Sequence, residues 1–387
     1  MTPCNVLTVI GTRPEAIKLA PVILALCRRR DQFVSKVCVT GQHRDMAGRA
    51  LALFDVIPDY DLDVMLPGQT LAQVTSRTVD RLDDVVVRER PDVVLVQGDT
   101  TAALCGALVG FYNRRMVGHV EAGLRTSDKY SPFPEEINRR LVAGIADFHF
   151  APTESAEEAL VREGVSDSSV FVTGNTVIDA LLWVRERMRQ LPVQLPQPVV
   201  AALEKSDVVL VTGHRRESFG EGLENICQAI REVADALPRV VFVYPVHLNP
   251  NVREPVERIL GDHPRIFLLE PLPYAPFVWL MDHATVVLTD SGGVQEEAPS
   301  LGKPVLVMRE RTERPEGIRS GNAILVGIEK PKIVDALTRL LREPELRATM
   351  ASVANPYGDG HAADRIVEVL AGQAGQSRIR VTHESAG

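Results

Sequence analysis

Residues 284–297, ATVVLTDSGGVQEE, place a short β-branched apolar run directly before Ser-Gly-Gly and a helix-forming segment. The run predicts a buried strand, and the two glycines predict a tight turn into a helix. Such a turn presents free backbone N–H groups at a helix start, which favours the binding of an anion. A plain strand-to-helix turn capped by Ser291 explains the same residues equally well when they are taken alone.

The same alternation of strand, turn and helix recurs in both halves of the chain. Strands that alternate with helices indicate parallel βαβ units. We therefore predict an α/β protein made of two doubly wound, Rossmann-like domains. The apolar runs are NVLTVI (5–10), KVCVT (36–40), DVVLVQ (92–97), RMVGHV (115–120), DVVLVT (207–212), VVFVYP (240–245), IFLLE (266–270), TVVLT (285–289) and PVLVM (304–308).

The domain boundary is expected at the helical segment VIDALLWVRERM (177–188) and the Pro-rich segment LPVQLPQPV (191–199). A shift to Pro-rich composition is typical of a linker. We assign residues 1–177 to the first domain and 178–361 to the second, and a C-terminal helix at 362–372 can pack back on the first domain.

Composition excludes several classes of function. The 387 residues suffice for two cores, and the net charge of −8 argues against a nucleic-acid surface while leaving room for a local anion site. The five cysteines are odd in number and lack zinc-type spacing, which predicts reduced core thiols in a cytoplasmic protein. The N-terminus lacks the features of a signal peptide, and no run is long enough to predict a membrane span.

Polar clusters follow the predicted strands at corresponding positions. Ligands of open α/β sheets bind beyond the carboxyl ends of the strands. These clusters therefore predict a ligand cleft between the two domains. They are GTRPE, GQHR, GDTT and EAGLRT in the first half, and GHRRES, PVHLNP and DSGG in the second.

Cations at two predicted helix starts indicate phosphate binding. Arg13 and Lys18 flank the start in GTRPEAIK, where the helix dipole disfavours a cation unless an anion is bound. The second domain repeats this design with His214, Arg215 and Arg216, for which we favour phosphate contact over surface charge. Together with DSGG, these residues predict a diphosphate site with little need for a metal.

Three carboxylates of the first domain are candidate acid–base groups. Each of two carboxylates also has a purely structural interpretation. Asp99 can cap the helix that follows it, and Glu135 can stabilise the first turn of its helix. Glu121 ends an apolar strand, so burial is expected to raise its pKa towards that of a general acid or base. Arg125 and Arg139 are close enough in sequence to hold these acids or a substrate.

Two other polar residues have a structural and a functional interpretation. His119 lies within a predicted strand and is expected to be structural. Glu297, one turn after the glycine pair, is either a ribose contact or a surface charge of the helix.

Nine long motifs carry a family resemblance that runs from about residue 5 to residue 368: GTRPEAIKLAP, GQHRDM, GDTTAA, GHVEAGLRT, SPFPEEINRRL, GNTVIDAL, VTGHRRESFG, PVHLNPNVREPV and LTDSGGVQEEAPSLGKPVLVMRERTERPE. They are similar to motifs of the non-hydrolysing bacterial UDP-N-acetylglucosamine 2-epimerases. The resemblance implies a fold like that of the B-type glycosyltransferases, with a UDP-sugar in the interdomain cleft. It also implies interconversion of UDP-GlcNAc and UDP-ManNAc for surface polysaccharide, without a nicotinamide or another cofactor, and we expect a homodimer.

The resemblance implies roles for the residues at matching positions. The acid, base and supporting positions are Asp99, Glu121, Glu135, Arg139 and His214, of which Asp99, Glu121 and His214 also contact substrate. The cationic positions of the first loop are Arg13 and Lys18. The UDP contacts are the Leu272 backbone, Phe277, Ser291, Gly292, Gly293, Glu297 and Arg314. A second, allosteric UDP-GlcNAc would contact Gln42, His43 and Gln69, although these residues suit loop capping nearly as well.

Two positions depart from the family pattern. Gln97 stands where relatives often have His, which bears on the support of Asp99, and Leu272 stands where some have Gln.

The mechanism that the resemblance implies removes the C2 proton while the C1–O bond breaks, which gives 2-acetamidoglucal and UDP. UDP then adds back. The alternatives are a glycosyltransferase of the same fold, a hydrolysing epimerase, and a catalytically silent nucleotide-sugar sensor.

Overall fold

The computed structural model describes residues 2–41, 44–126, 128–190 and 195–372, with no side chains for 44–46. The described chain divides into two compact units. The first unit holds the residues up to Ala180 and those from Tyr357 onward, and the second holds Leu181–Pro356.

The first unit is built on a parallel seven-stranded sheet. Its strands are β1 (Cys4–Ile10), β2 (Phe33–Val39), β3 (Tyr60–Asp61), β4 (Val93–Gln97), β5 (Met116–Val120), β6 (Phe148–Ala151) and β7 (Val170–Val172). Their order in the sheet is β3-β2-β1-β4-β5-β6-β7. The helices are α1 (Arg13–Arg28), α2 (Arg44–Leu53), α3 (Leu71–Glu89), α4 (Thr101–Tyr112), α5 (Glu135–Ile145), α6 (Glu154–Arg162) and α7 (Thr176–Met188), the last of which continues into the second unit.

The second unit repeats this design with a parallel six-stranded sheet. Its strands are β8 (Asp207–Thr212), β9 (Val240–Pro245), β10 (Ile266–Leu269), β11 (Val286–Thr289), β12 (Val305–Val307) and β13 (Ala323–Leu325). Their order is β10-β9-β8-β11-β12-β13. The helices are α8 (Gln197–Leu203), α9 (Glu221–Ala236), α10 (Pro250–Leu260), α11 (Tyr274–His283), α12 (Gly292–Glu297), α13 (Pro315–Ser320), α14 (Lys330–Arg342) and α15 (Pro344–Ser352).

These sheets confirm the predicted fold class. Every apolar run singled out in the sequence forms a strand, because central parallel strands are buried on both faces and therefore have apolar residues at consecutive positions. β4 is buried along its whole length. Four strands were not predicted from the sequence, namely β3, β6, β7 and β13, each only two to four residues long. The helix predicted at 177–188 is α7, while residues 191–194 of the expected linker lie outside the described chain.

A C-terminal helix at 362–372 packs on the first unit. The Asp179 carboxylate accepts hydrogen bonds from the backbone amides of Ala362 and Ala363 at 3.2 and 2.8 Å, so it caps this helix from another part of the chain. Burial raises the pKa of Asp179 to about 6. Arg365 donates to the Thr173 carbonyl at 3.0 Å. These contacts join the last helix to the first sheet.

The structure also bears on the expectations of reduced core thiols and of no membrane-spanning segment. All five cysteines are free, and four are buried, but the prediction of a core thiol is wrong for Cys27, which is exposed at the end of α1. None of the described helices combines the length and the apolar character that a membrane crossing needs.

Candidate active site

Strand order determines which of the predicted polar clusters meet within each unit. In the first sheet β4 lies between β1 and β5, so the turns after these three strands are neighbours. In the second sheet β8 and β11 are neighbours, which brings the turns GHRR and DSGG together. Each unit therefore presents its own group of polar residues at the carboxyl ends of its strands.

Glu121 is held by two side-chain donors. Lys18 Nζ lies 2.7 Å from Oε1 and 2.5 Å from Oε2 of Glu121, and Gln97 Nε2 donates to Oε2. Glu121 is buried, and its φ of +61° places it in the left-handed region that disfavours a residue with a Cβ. Backbone conformations of this kind cluster at functional sites, where surrounding contacts hold a side chain in one direction.

Gln97 therefore supports a different carboxylate from the one expected. Gln97 was expected to bear on the support of Asp99, but its side-chain amide donates to Glu121. The reason is the alternation of side chains along a strand: Gln97 is the last residue of β4 and pairs in register with Val120, directly before Glu121.

Asp99 is held by the start of α5. Arg139 Nη2 forms an ion pair with Asp99 Oδ2, and Asn138 Nδ2 donates to the Asp99 carbonyl at 2.9 Å. Arg139 thus lies where the sequence placed it, beside one of the candidate acids. Arg125 does not fulfil the same expectation, because its guanidinium binds Glu163 through three hydrogen bonds of 2.8–3.0 Å.

Glu135 is the first residue of α5, and its Oε2 is a buried atom without a hydrogen-bond partner among the described residues. The next residue, Glu136, was not singled out in the sequence but is fully buried. Its carboxylate accepts from the Thr126 amide at 3.0 Å, from Arg139 at 3.3 Å and from Arg140 at 2.9 Å. Glu136 therefore anchors Arg139, and Arg139 in turn holds Asp99 in the β4–α4 turn.

Glu15 is a second buried acid that sequence reasoning missed. Its Oε2 accepts from the Thr12 amide at 2.7 Å, and its Oε1 accepts from Thr100 Oγ1 at 2.8 Å. Burial, opposed by these hydrogen bonds, raises the pKa of Glu15 to about 7. The sequence did contain a signal, since Thr12 and Glu15 have the spacing of a capping box at the start of α1.

We expect the Glu15→Gln variant to gain stability relative to the parent as the pH rises. The pKa of Glu15 is about 7 in the folded protein, compared with 4.5 for an unperturbed Glu side chain. Between these two pH values the folded state therefore binds more protons than the unfolded state. The free energy of unfolding of the parent then falls as the pH rises through this window. Gln removes this loss, which amounts to up to about 3 kcal/mol.

The measurement is thermal and urea unfolding of both proteins at pH 5 and pH 8. A stability difference that is the same at both pH values contradicts the prediction. Glu163→Gln is the control, because Arg125 lowers the pKa of Glu163 and the sign of its pH dependence is opposite.

His119 is enclosed in the first sheet, as expected of a structural residue. It is fully buried, and its Nε2 lies 2.7 Å from the Gly98 carbonyl oxygen. Burial lowers the pKa of His119 to about 3, so the ring is neutral at physiological pH. Its Nδ1 has no hydrogen-bond partner within the described chain.

In the second unit Asp290 organises the turn after β8. Its Oδ2 accepts from the amides of His214 and Arg215 at 2.7 and 2.8 Å. His214 Nδ1 lies 3.3 Å from Asp290 Oδ1, an ion-pair distance without hydrogen-bond alignment. Burial alone would raise the pKa of Asp290, but the contacts with His214 and the two amides outweigh it and lower the pKa. Asp290 is therefore charged and orients His214, whose side chain is 42% exposed.

The glycine pair starts α12, but its environment differs from that of a capped turn. Ser291 occupies the N-cap position without a side-chain hydrogen bond to the helix, so the capping alternative is not supported. Neither glycine has a positive φ, and a Cβ at Gly293 would meet only Glu297 Oε2 at 3.8 Å. A Cβ at Gly292 would touch the Arg314 guanidinium at 3.4 Å. Neither backbone conformation nor packing against the described residues explains glycine at 293.

The remaining UDP-contact candidates lie in the same unit. Glu297 is buried and accepts a hydrogen bond from the Tyr274 hydroxyl, so it is not a surface charge of the helix. Arg314 Nε donates to Glu296 Oε1 at 2.6 Å beside the glycine turn. Leu272 and Phe277 are half-buried at the start of α11.

The remaining predicted site residues of the first unit are Arg13 and the allosteric candidates. Arg13 is half-buried at the start of α1 and forms no ion pair with any residue of the described ranges. The Gln69 side chain donates to the Val64 carbonyl at 3.1 Å and accepts from the Leu66 amide, which fits loop capping. Gln42 and His43 lie outside the described residues.

Comparisons with known proteins give a consistent result over almost the whole chain. The family model for UDP-N-acetylglucosamine 2-epimerase matches residues 25–371. The chain is 56% identical over 369 residues to the UDP-N-acetylglucosamine 2-epimerase of Yersinia pestis, covering 95% of this chain and 98% of that protein. Identity to the enzyme of Escherichia coli K12 is 54% over 369 residues, with the same coverage.

A solved structure shares the fold. The crystal structure of UDP-GlcNAc 2-epimerase from Neisseria meningitidis bound to UDP-GlcNAc matches with a TM-score of 0.84 at 48% identity. The match covers 95% of this chain and 99% of that one.

Proposed function

Because this chain belongs to the UDP-N-acetylglucosamine 2-epimerase family, we propose that it interconverts UDP-GlcNAc and UDP-ManNAc by inverting sugar C2. The carboxylate Glu121, buried and oriented by Lys18 and Gln97 beside a second carboxylate turn, is the observation that carries the proposal. The product would supply a ManNAc-type precursor for surface polysaccharide.

The second unit supplies the UDP site. The backbone amides of 291–293 and the exposed side chain of His214 bind the diphosphate, and the lack of a side chain at Gly293 lets a phosphate approach closely. Glu297 accepts from the ribose hydroxyls, while Phe277 and the Leu272 backbone contact the uracil. Arg314, held by Glu296, adds positive charge beside the glycine turn.

The first unit supplies the acid–base groups. One carboxylate removes the C2 proton while the C1–O bond to UDP breaks, which leaves 2-acetamidoglucal and UDP. In the second half-reaction C2 is protonated from the opposite face and a diphosphate oxygen adds to C1. Proton transfer on the two faces of sugar C2 requires two acid–base groups. These are Glu121 and either Asp99 or Glu135.

Charge develops on the diphosphate as the C1–O bond breaks, so fixed donors aimed at it lower the barrier. Arg13 is suited to this role, because no carboxylate of the described chain neutralises its charge. His214 is suited as well, because Asp290 fixes its backbone amide while its side chain stays exposed. These groups stabilise the leaving group without a cofactor.

The test is NMR of UDP-GlcNAc with the purified protein in deuterated water. We expect UDP-ManNAc to appear and the C2 proton to be replaced by deuterium in both sugars. Free ManNAc and UDP would indicate the hydrolysing epimerase instead. Sugar transfer to an added acceptor without C2 exchange would indicate a glycosyltransferase, and binding without any reaction would indicate a sensor.

Regulation by a second UDP-GlcNAc is part of the same proposal and concerns Gln42, His43 and Gln69. If it operates, UDP-ManNAc alone reacts slowly until a little UDP-GlcNAc is added. Hyperbolic reverse kinetics without a lag exclude it.

We also propose a cytoplasmic homodimer. α3, α4 and α5 pack side by side in the first unit, and large apolar residues on them are exposed, including Phe111 at 61% and Tyr112 at 65%. An apolar surface of this kind is typical of a subunit contact. Light scattering is expected to give twice the mass of the chain, and a monomeric mass contradicts the dimer. The free cysteines suit a reducing compartment.

A further inference from the structure

Glu15 connects two turns that carry proposed site residues. One carboxylate oxygen accepts from the Thr12 amide and the other from the Thr100 hydroxyl, at 2.7 and 2.8 Å. Thr12 directly precedes Arg13, and Thr100 directly follows Asp99. Each anchor of Glu15 is therefore the chain neighbour of a residue that we assign to diphosphate binding or to proton transfer.

Helix capping explains only half of this arrangement. A capping box accounts for the bond to the Thr12 amide, because it satisfies a donor at the start of α1. The bond from Thr100 joins α1 to a turn 85 positions away in sequence and satisfies no helix donor. The Thr100 hydroxyl already accepts from the Ala103 amide as the N-cap of α4, so it links that helix to Glu15 as well.

The burial of Glu15 also argues against a role in stability alone. Glu15 as a whole residue is 1% exposed, and no cation within the described ranges forms an ion pair with it. A buried carboxylate without a counter-ion lowers stability compared with an apolar residue of similar size. Since both oxygens bind donors of the protein, Glu15 is not placed as a group that reacts with substrate.

We propose that Glu15 is a positioning residue that fixes the turn bearing Arg13 against the turn bearing Asp99. This inference rests on the proposed function, because it deepens the roles assigned there to the two turns. A reacting group displaced by about 1 Å can cost on the order of 100-fold in rate, so a link between the turns matters to kcat even when the fold is intact.

Thr100→Val tests the link, with Thr153→Val as the matched control. Both substitutions keep the side-chain shape and remove one helix N-cap, since the Thr153 hydroxyl accepts from the Ala156 amide at the start of α6. Only Thr100 also bonds to Glu15. We expect Thr100→Val to lower kcat by about 10- to 100-fold with a smaller change in KM, while Thr153→Val stays near the parent.

Glu15→Gln should retain most of the parent kcat. Its amide oxygen can accept from the Thr12 amide, and its NH2 group can donate to the Thr100 hydroxyl, which has two lone pairs. Glu15→Leu, which keeps the volume but neither bond, should lose kcat as Thr100→Val does. Equal kcat in the Gln and Leu variants contradicts the proposal.

Hydrogen–deuterium exchange gives a readout that does not depend on catalysis. Thr100→Val should speed exchange of the amides in turn 11–13, on the far side of the Glu15 link, whereas Thr153→Val should not. Unchanged exchange in that turn overturns the proposal whatever the activity. A parent protein without epimerase activity refutes the proposed function, and the exchange comparison still decides the role of Glu15.

Discussion

Replacing Glu121 by Gln is expected to lower kcat for the interconversion of UDP-GlcNAc and UDP-ManNAc by about 10²- to 10⁴-fold. Gln has the same shape and can still occupy the pocket formed by Lys18 and Gln97, but it cannot take a proton from C2. In our proposal Glu121 acts on the sugar and other residues bind UDP, so the dissociation constant of UDP should change little.

The experiment measures turnover by NMR and UDP binding by calorimetry, with circular dichroism to confirm folding. Glu163→Gln is the matched control, since it also removes an acid from an ion pair, here with Arg125, outside the proposed machinery. Near-parent turnover in Glu121→Gln would remove this residue from the mechanism. Asp99→Asn should show the same loss if Asp99 serves the other face of the sugar.

The second large effect is expected from Gly293→Val. A Cβ at Gly293 would meet only Glu297 Oε2, at an ordinary contact distance of 3.8 Å, so the fold tolerates a side chain there, whereas a bound diphosphate would meet it. Loss of one hydrogen bond to a charged group costs about 1.5–3 kcal/mol, which is about 10- to 150-fold in the dissociation constant. UDP and the UDP-sugars should lose affinity equally, because they present the same diphosphate.

Gly144→Val is the control for a valine at a helical glycine, because a Cβ at this position would clash with no described residue either. Arg13→Ala should weaken UDP binding too, but its effect should fade at high salt, as expected of a charge interaction. The measurement is calorimetric titration of UDP at two ionic strengths. A folded Gly293→Val protein that binds UDP like the parent would show that DSGG is only a turn.

The contacts of the site were less predictable than the positions of its residues. Gln97 was placed at the end of β4 by the sequence, but whether its amide reaches Asp99 or Glu121 depends on the register between β4 and β5. Arg125 and Arg139 looked alike in sequence, and only the direction of each side chain separates the partner of Glu163 from the partner of Asp99. Asp290 and Glu136 lie in the motifs DSGG and SPFPEEINRRL, but their position there does not identify the neighbours through which they act.

The sequence by itself determined the class of the fold and the loops that carry chemistry. Apolar runs such as DVVLVQ and DVVLVT predict buried parallel strands because such strands bury both faces, and the turns after them must hold the polar residues. Only the tertiary structure decided how those residues are used. Strand order placed Glu15 between Thr12 and Thr100, and burial raised the pKa of this acid to about 7. The bond to Thr100 and the burial both depend on contacts between residues far apart in the chain, which local patterns of residues do not encode.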